Sequence, residues 1–168
     1  MKEEKWCSKQ HEDKETKFDV FEMSDAVRKT IDEYTERDFD IENVKDPRRR
    51  RKIVREFDFI NDCARDIGSY SRAANVIYID DDESYSQRKS WWNLAKGSCA
   101  KLRGEFKHIA EYVDEDTNVQ KYVDMNDDII KIETKITNVM KSDHRRFTQK
   151  NTLKKKEAEK QKETQKEK

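Results

Sequence analysis

The chain has 168 residues, of which 33% are hydrophobic and 44% charged. That length points to one domain, and so little apolar material beside so much charge excludes a thick core and favours long helices that each bury one stripe. Three Gly and one Pro exclude the many turns of a sandwich or barrel. Lys+Arg and Asp+Glu stand equal at 37, so any affinity for polyanions depends on where the positive charge is concentrated.

Residues 1–16 are polar and of mixed charge, with Trp6 the one large apolar group, and read as a flexible extension. Neither a signal segment nor an apolar run of membrane-spanning length is present, which predicts a soluble, cytoplasmic chain with no membrane partner. Cys7, Cys63 and Cys99 are too few and too odd in number for a disulfide framework, so reduced thiols are expected.

The first helix is predicted from about Phe18 to about Glu36, because Val20, Met23, Val27, Ile31 and Tyr34 share one face. The second has Asp46 as its N-cap and Pro47 at its first position, where the missing N–H costs nothing. Ile53, Phe57, Ile60, Ala64, Ile67, Ser71 and Ala74 then alternate by four and three, a heptad-type seam, and the helix should end near Asn75 or Ile77. Ile77-Tyr78-Ile79 is too short and isolated to be a strand and is read as loop.

The acidic run Asp80–Glu83 precedes a third helix, with Ser84 and Gln87 at capping-box spacing. Negative charge ahead of a helix N-terminus suits the helix dipole, and the run lacks the glycine and spaced ligands of a calcium loop. The third seam reads Trp92, Ala95, Cys99, Leu102, Phe106, Ile109 and Val113, with Gly97 and Gly104 inside the helix. Close approach of a neighbour or plain tolerance would each account for those glycines. A fourth helix capped by Asn118 carries Tyr122, Met125, Ile129, Ile132, Ile136 and Val139 and is expected to reach about Phe147. The tail 150–168 has eight Lys and four Glu and no apolar face; it reads as a solvated helical extension or a flexible arm. Short connections favour antiparallel neighbours. The expected architecture is therefore an all-α, antiparallel up-down four-helix bundle over 17–149, with charged, flexible extensions at 1–16 and 150–168.

No catalytic constellation is apparent. Cys7 and His11 lack the second pair that a structural zinc requires, and Cys63 and Cys99 fall on apolar seams. No catalytic residue, metal ligand or cofactor is expected. The cations are more telling. Arg48, Arg49, Arg50, Arg51 and Lys52, followed by Arg55, crowd the first turns of the second helix. Each cation close to a helix N-terminus costs roughly 0.3–1 kcal/mol, so fold stability does not favour this placement, whereas a phosphate partner would relieve it. A second cluster, Lys141, His144, Arg145, Arg146 and Lys150, lies late in the fourth helix. In an antiparallel bundle this cluster comes near Arg88 and Lys89, beside Trp91 and Trp92, one of which should face the core. A basic zone at each end of the bundle follows.

Two stretches carry a resemblance: Ala74-Asn75-x-Ile77-Tyr78 with the acidic loop, Arg88-Lys89, Ala95, Cys99, Leu102 and Phe106; and Tyr122, Ile129, Ile136 with Lys141-Ser142-Asp143-His144-Arg145-Arg146. Over about 100 residues the chain resembles the four-helix-bundle accessory proteins encoded beside bacterial and phage reverse transcriptases, including the accessory variability determinant of diversity-generating retroelements. The resemblance implies a non-catalytic homo-oligomer, a pentamer in that family. Its members bind reverse transcriptase and RNA or cDNA and support cDNA synthesis. It would assign Arg48, Arg49, Arg50, Arg51, Lys52, Arg55, Arg88, Lys89, Arg145 and Arg146 to nucleic acid. The alternative from a different class is a structural bundle, of phage assembly or a defence system, with protein partners only.

Overall fold

In the computed structural model of the chain, which describes residues 19–34, 44–109 and 120–166, every element is an α-helix. Helix α1 covers 19–34, α2 Pro47–Val76, α3 Asp82–Ile109 and α4 Gln120–Lys166. The extension 1–16 with Cys7 and His11, the seam residue Val113 and the expected cap Asn118 lie outside the described residues.

Local chemistry sets the helix ends. The Asp46 carboxylate accepts from the Arg48 N–H at 2.9 Å, and Pro47 occupies the first turn, as the sequence predicts. Helix α2 stops at Val76, where Ile77 returns to extended backbone. The start of α3 differs from the expectation. Its cap is Asp81, three residues ahead of Ser84: Asp81 Oδ1 accepts from the Ser84 N–H at 2.8 Å, while Ser84 Oγ accepts from the N–H groups of Asp80 and Asp81 at 3.0 and 3.1 Å. Ser84 thus plays the reciprocal part that Glu or Gln plays in a capping box. Its backbone N–H, then its side chain, hold the Asp81 carboxyl below its ordinary 3.8.

The seams read from the sequence form the core. All seven positions on α2, the six described on α3 and the six on α4 are buried. On α1, Val20, Val27 and Ile31 are buried, whereas Met23 and Tyr34 are partly covered. Fully burying a side chain such as Ile60 or Ile129 stabilises the fold by about 1.5–3 kcal/mol. Cys63 and Cys99 lie inside it, and burial pushes the Cys99 thiol up to about 12. Both cysteines act as small hydrophobes.

Side-chain pairs between helices fix the topology. Arg72 on α2 grips both carboxylate oxygens of Asp25 on α1, at 2.9 and 2.7 Å. Lys135 on α4 pairs with Asp19, and Tyr34 packs on Tyr122 with centroids 6.3 Å apart, so α1 and α4 run in opposite directions. Tyr70 meets Trp91 at 5.7 Å across α2 and α3, and Phe106 meets Tyr122 at 6.2 Å across α3 and α4. The bundle is up-down-up-down, with α1 and α3 on opposite corners.

Helix α4 runs 47 residues, well past Phe147. The root of this extension is fastened to the α2–α3 connection. Phe147 stacks on Tyr85 at 4.2 Å and 4°, and Lys150 Nζ donates to Ile79 O at 3.2 Å and to Asp80 Oδ1 at 3.0 Å. Part of the acidic run therefore holds α4, in addition to capping α3.

Gly97 and Gly104 are not sites of close approach. A Cβ built on either meets no described atom within 4 Å. Each glycine is therefore a pure propensity cost of roughly 0.8–1.0 kcal/mol relative to alanine. Gly97→Ala and Gly104→Ala should each raise unfolding free energy in urea by about 0.5–1 kcal/mol, without changing the slope of the denaturant dependence.

Candidate nucleic-acid interface

The first turns of α2 present Arg48, Arg49, Arg50, Arg51, Lys52 and Arg55, all exposed. Arg51 Nε reaches back to Pro47 O at 3.4 Å, and none of the six forms an ion pair among the described residues. The helix offers no compensation of its own, because its first turn contains no acidic residue. Six cations thus crowd the first turns of the helix, those of the first turn against its positive dipole end, with no acidic partner among the described residues.

Arg88 lies elsewhere than the sequence suggested. It is 4% exposed and forms a clasp joining three helices. Its Nε donates to Asp143 Oδ2 on α4 at 2.6 Å, and its Nη1 donates to Ala74 O at 3.1 Å and Ile77 O at 2.7 Å at the end of α2. Trp92 Nε1 donates to the same Asp143 oxygen at 3.3 Å. Ala74 O also accepts from the Ile77 N–H at 3.3 Å, so the guanidinium adds a second donor there and supplies one to Ile77 O, and it places a cation where the dipole favours one. This arginine is committed to the fold: it borders the cavity between α3 and α4, but its side chain is 5% exposed and its charge is matched by Asp143. Trp92 is the core-facing member of the tryptophan pair, and Trp91 is half-buried against Tyr70.

Above the clasp, α3 and α4 stand apart around a cavity of about 530 Å³. Lys89 and Lys96 come from α3, Lys141 and Arg145 from α4, and Trp92 and Met140 also line it. Lys89, Lys141 and Arg145 are exposed and Lys96 is half-exposed; none of the four makes an ion pair among the described residues. Asp143, the one carboxylate lining the cavity, is already matched by Arg88. The expectation that Lys89 and Arg145 share one end of the bundle is met. Arg146 is exposed but does not line the cavity, and its partial burial pulls its pKa down. Lys96 went unnoticed in the sequence, although it lies seven residues after Lys89 on the same face.

The α2 cluster and the cavity occupy opposite ends. About 24 residues of α2 separate Arg50 from Ala74, which is roughly 36 Å of helix at 1.5 Å per residue. The zero net charge of the chain thus conceals two separate basic zones.

One titratable pair lies outside both zones. Glu105 on α3 lies beside Glu56 on α2, and its pKa is raised above the ordinary 4.5, first by burial, then by the neighbouring Glu56 carboxyl, against the pull of His108. A carboxyl that is easier to protonate when folded makes the fold most stable below 4.5 and less stable as pH rises from there through its raised value. Glu105→Gln should therefore stabilise the chain at neutral pH and flatten its stability profile across that window. The gain should be under about 1 kcal/mol, because both carboxyls are half-exposed and screened. Thermal melts at several pH values check it.

Among the described residues no three His, Cys, Asp or Glu side chains converge as a metal ion would require, and no helix is long and apolar enough to cross a membrane. The chain matches no protein-family model, and no curated protein and no solved structure is significantly similar to it.

Proposed function

We propose that the chain is a non-catalytic nucleic-acid-binding bundle that serves as the accessory subunit of a reverse transcriptase, holding RNA or cDNA for that enzyme as a homo-oligomer. The observation that carries the nucleic-acid part is the cluster Arg48–Lys52 with Arg55: six exposed cations without ion pairs among the described residues, the first of them set against the helix dipole. Phosphate is the partner that turns this repulsion into attraction, and it needs no catalytic machinery. The identity of the enzyme partner rests on the resemblance of residues 74–147. Its two most specific pieces, Ala-Asn-x-Ile-Tyr and Lys-Ser-Asp-His, meet in the Arg88 clasp, so they describe one structural unit.

Binding of labelled RNA, followed by anisotropy between 50 and 200 mM salt, tests the first part. Log affinity should fall linearly with log salt, with a slope near −0.7 for each single-strand phosphate engaged. Absence of binding even at 50 mM would remove it. Recovery of a reverse transcriptase with the tagged chain from its native host tests the second.

A purely protein-binding bundle, in phage assembly or defence, is favoured by one observation. Val123 and Ile130, seven residues apart on one face of α4, are 48% and 37% exposed. On that reading, neutralising the α2 arginines leaves function intact.

A further inference from the structure

We infer that the furrow between α3 and α4 is a second, distinct nucleic-acid site, and that it selects single strands over duplex. The inference rests on the nucleic-acid reading above but on different residues. Lys89 and Lys96 stand two turns apart on one bank, about 10 Å along α3. Lys141 and Arg145 stand one turn apart on the other, about 6 Å along α4. With Asp143 neutralised by Arg88, the furrow carries four uncompensated positive charges.

The shape of the furrow decides among polyanions. A duplex presents its phosphates on a broad convex surface and keeps its bases stacked inside. It can touch the exposed turn at Arg48–Lys52 but cannot enter a cavity of about 530 Å³. A single strand can be divided: its phosphates track cations on both banks, while an unstacked base drops between them. The floor suits a base. Met140 and the half-buried Tyr85 ring give it an apolar surface, and the exposed His144 supplies a polar edge for a ring's hydrogen-bonding groups. An acidic amphipathic helix fits less well, because it needs a long row of apolar anchor pockets and this floor is short and partly polar. The volume lies in the range that holds one or two ring systems.

The test compares the full-length chain with two variants: Lys89→Gln/Lys141→Gln/Arg145→Gln in the furrow, and Arg48→Gln/Arg49→Gln/Arg50→Gln/Arg51→Gln on α2. All seven side chains are exposed, so both variants should fold, and their melting curves are recorded first to check it. Anisotropy is measured with a labelled 12-nucleotide oligouridine and with a 12-base-pair RNA duplex. The furrow variant should lose about tenfold in affinity for the single strand, its salt slope should fall by about two, and duplex binding should stay within about threefold of the parent. Oligouridine containing 4-thiouridine should crosslink within residues 85–96 or 137–145. Equal loss of strand and duplex binding overturns the selectivity. Unchanged strand binding in the furrow variant, alongside loss in the α2 variant, overturns the furrow while leaving the nucleic-acid reading in place. Displacement of the strand by an equal concentration of polyglutamate also overturns the furrow as a nucleic-acid site. If the parent binds neither probe at low salt, the broader reading fails first.

Discussion

Asp143→Ala should destabilise the bundle by about 3–5 kcal/mol, enough to unfold a marginal domain. The cause is the charge it abandons. Arg88 and Asp143 each have side chains 5% exposed, and their ion pair closes at 2.6 Å. Removing the carboxylate leaves a buried guanidinium with two backbone carbonyls and no counter-charge, and it also takes the acceptor from the Trp92 indole. Arg88→Ala should cost a similar amount by the opposite route, since it strands the carboxylate and reopens the end of α2. The double replacement Arg88→Met/Asp143→Leu should be far milder than the sum of the two single changes. Two observations support that. Breaking a buried pair is expensive mainly because of the partner left behind. Moreover, Arg88 Nη2 finds no hydrogen-bond partner among the described residues, so the clasp is an incompletely satisfied polar unit even when intact. Urea unfolding of the parent, both single variants and the double variant forms a cycle, and a coupling near zero would show that the clasp contributes nothing specific.

The clasp also shows where the sequence could be read and where it could not. The seams were legible because burial on a helix is periodic: Ile53 to Ala74, Trp92 to Ile109 and Tyr122 to Val139 repeat by three and four, and all of them are covered. The α2 cap was legible because Asp-Pro at a helix start has one favourable geometry. Arg88 was misread because its burial depends on partners 55 and 14 residues away, and nothing in the local pattern announces them. Position offered a hint. Arg88 lies four residues before Trp92, hence one turn above it on the same core-facing stripe, and a cation on such a stripe needs an acid from a neighbouring helix. The displaced α3 cap was open to more than one reading: four acids in a row offered several possible caps, and Ser84 suited either end of the box. The basic furrow was half legible: antiparallel pairing brings Lys89 to Arg145, but nothing in the seam pattern announces the cavity between α3 and α4.

Replacing the arginines at the start of α2 should move stability and binding in opposite directions. Arg48→Gln, Arg49→Gln, Arg50→Gln and Arg51→Gln each remove a cation from the first turns of a helix whose dipole repels it, and none of the four loses an ion pair to a described residue. The intact Asp46 cap keeps its bond to the Arg48 N–H, which is a backbone group and survives substitution of the side chain. Each change near the helix end should therefore be neutral or stabilising by up to about 1 kcal/mol at low ionic strength, and the gain should shrink as salt screens the dipole. Binding to duplex RNA should respond the other way. If each side chain holds one phosphate, the quadruple variant loses close to four contacts, and the slope of log affinity against log salt becomes shallower by about 3.6. Few surface substitutions stabilise a protein while removing its ligand, and that combination is the signature of residues kept for function against the preference of the fold. Four arginines that proved dispensable for binding, or whose loss destabilised α2, would mark the cluster as an ordinary solvated helix start.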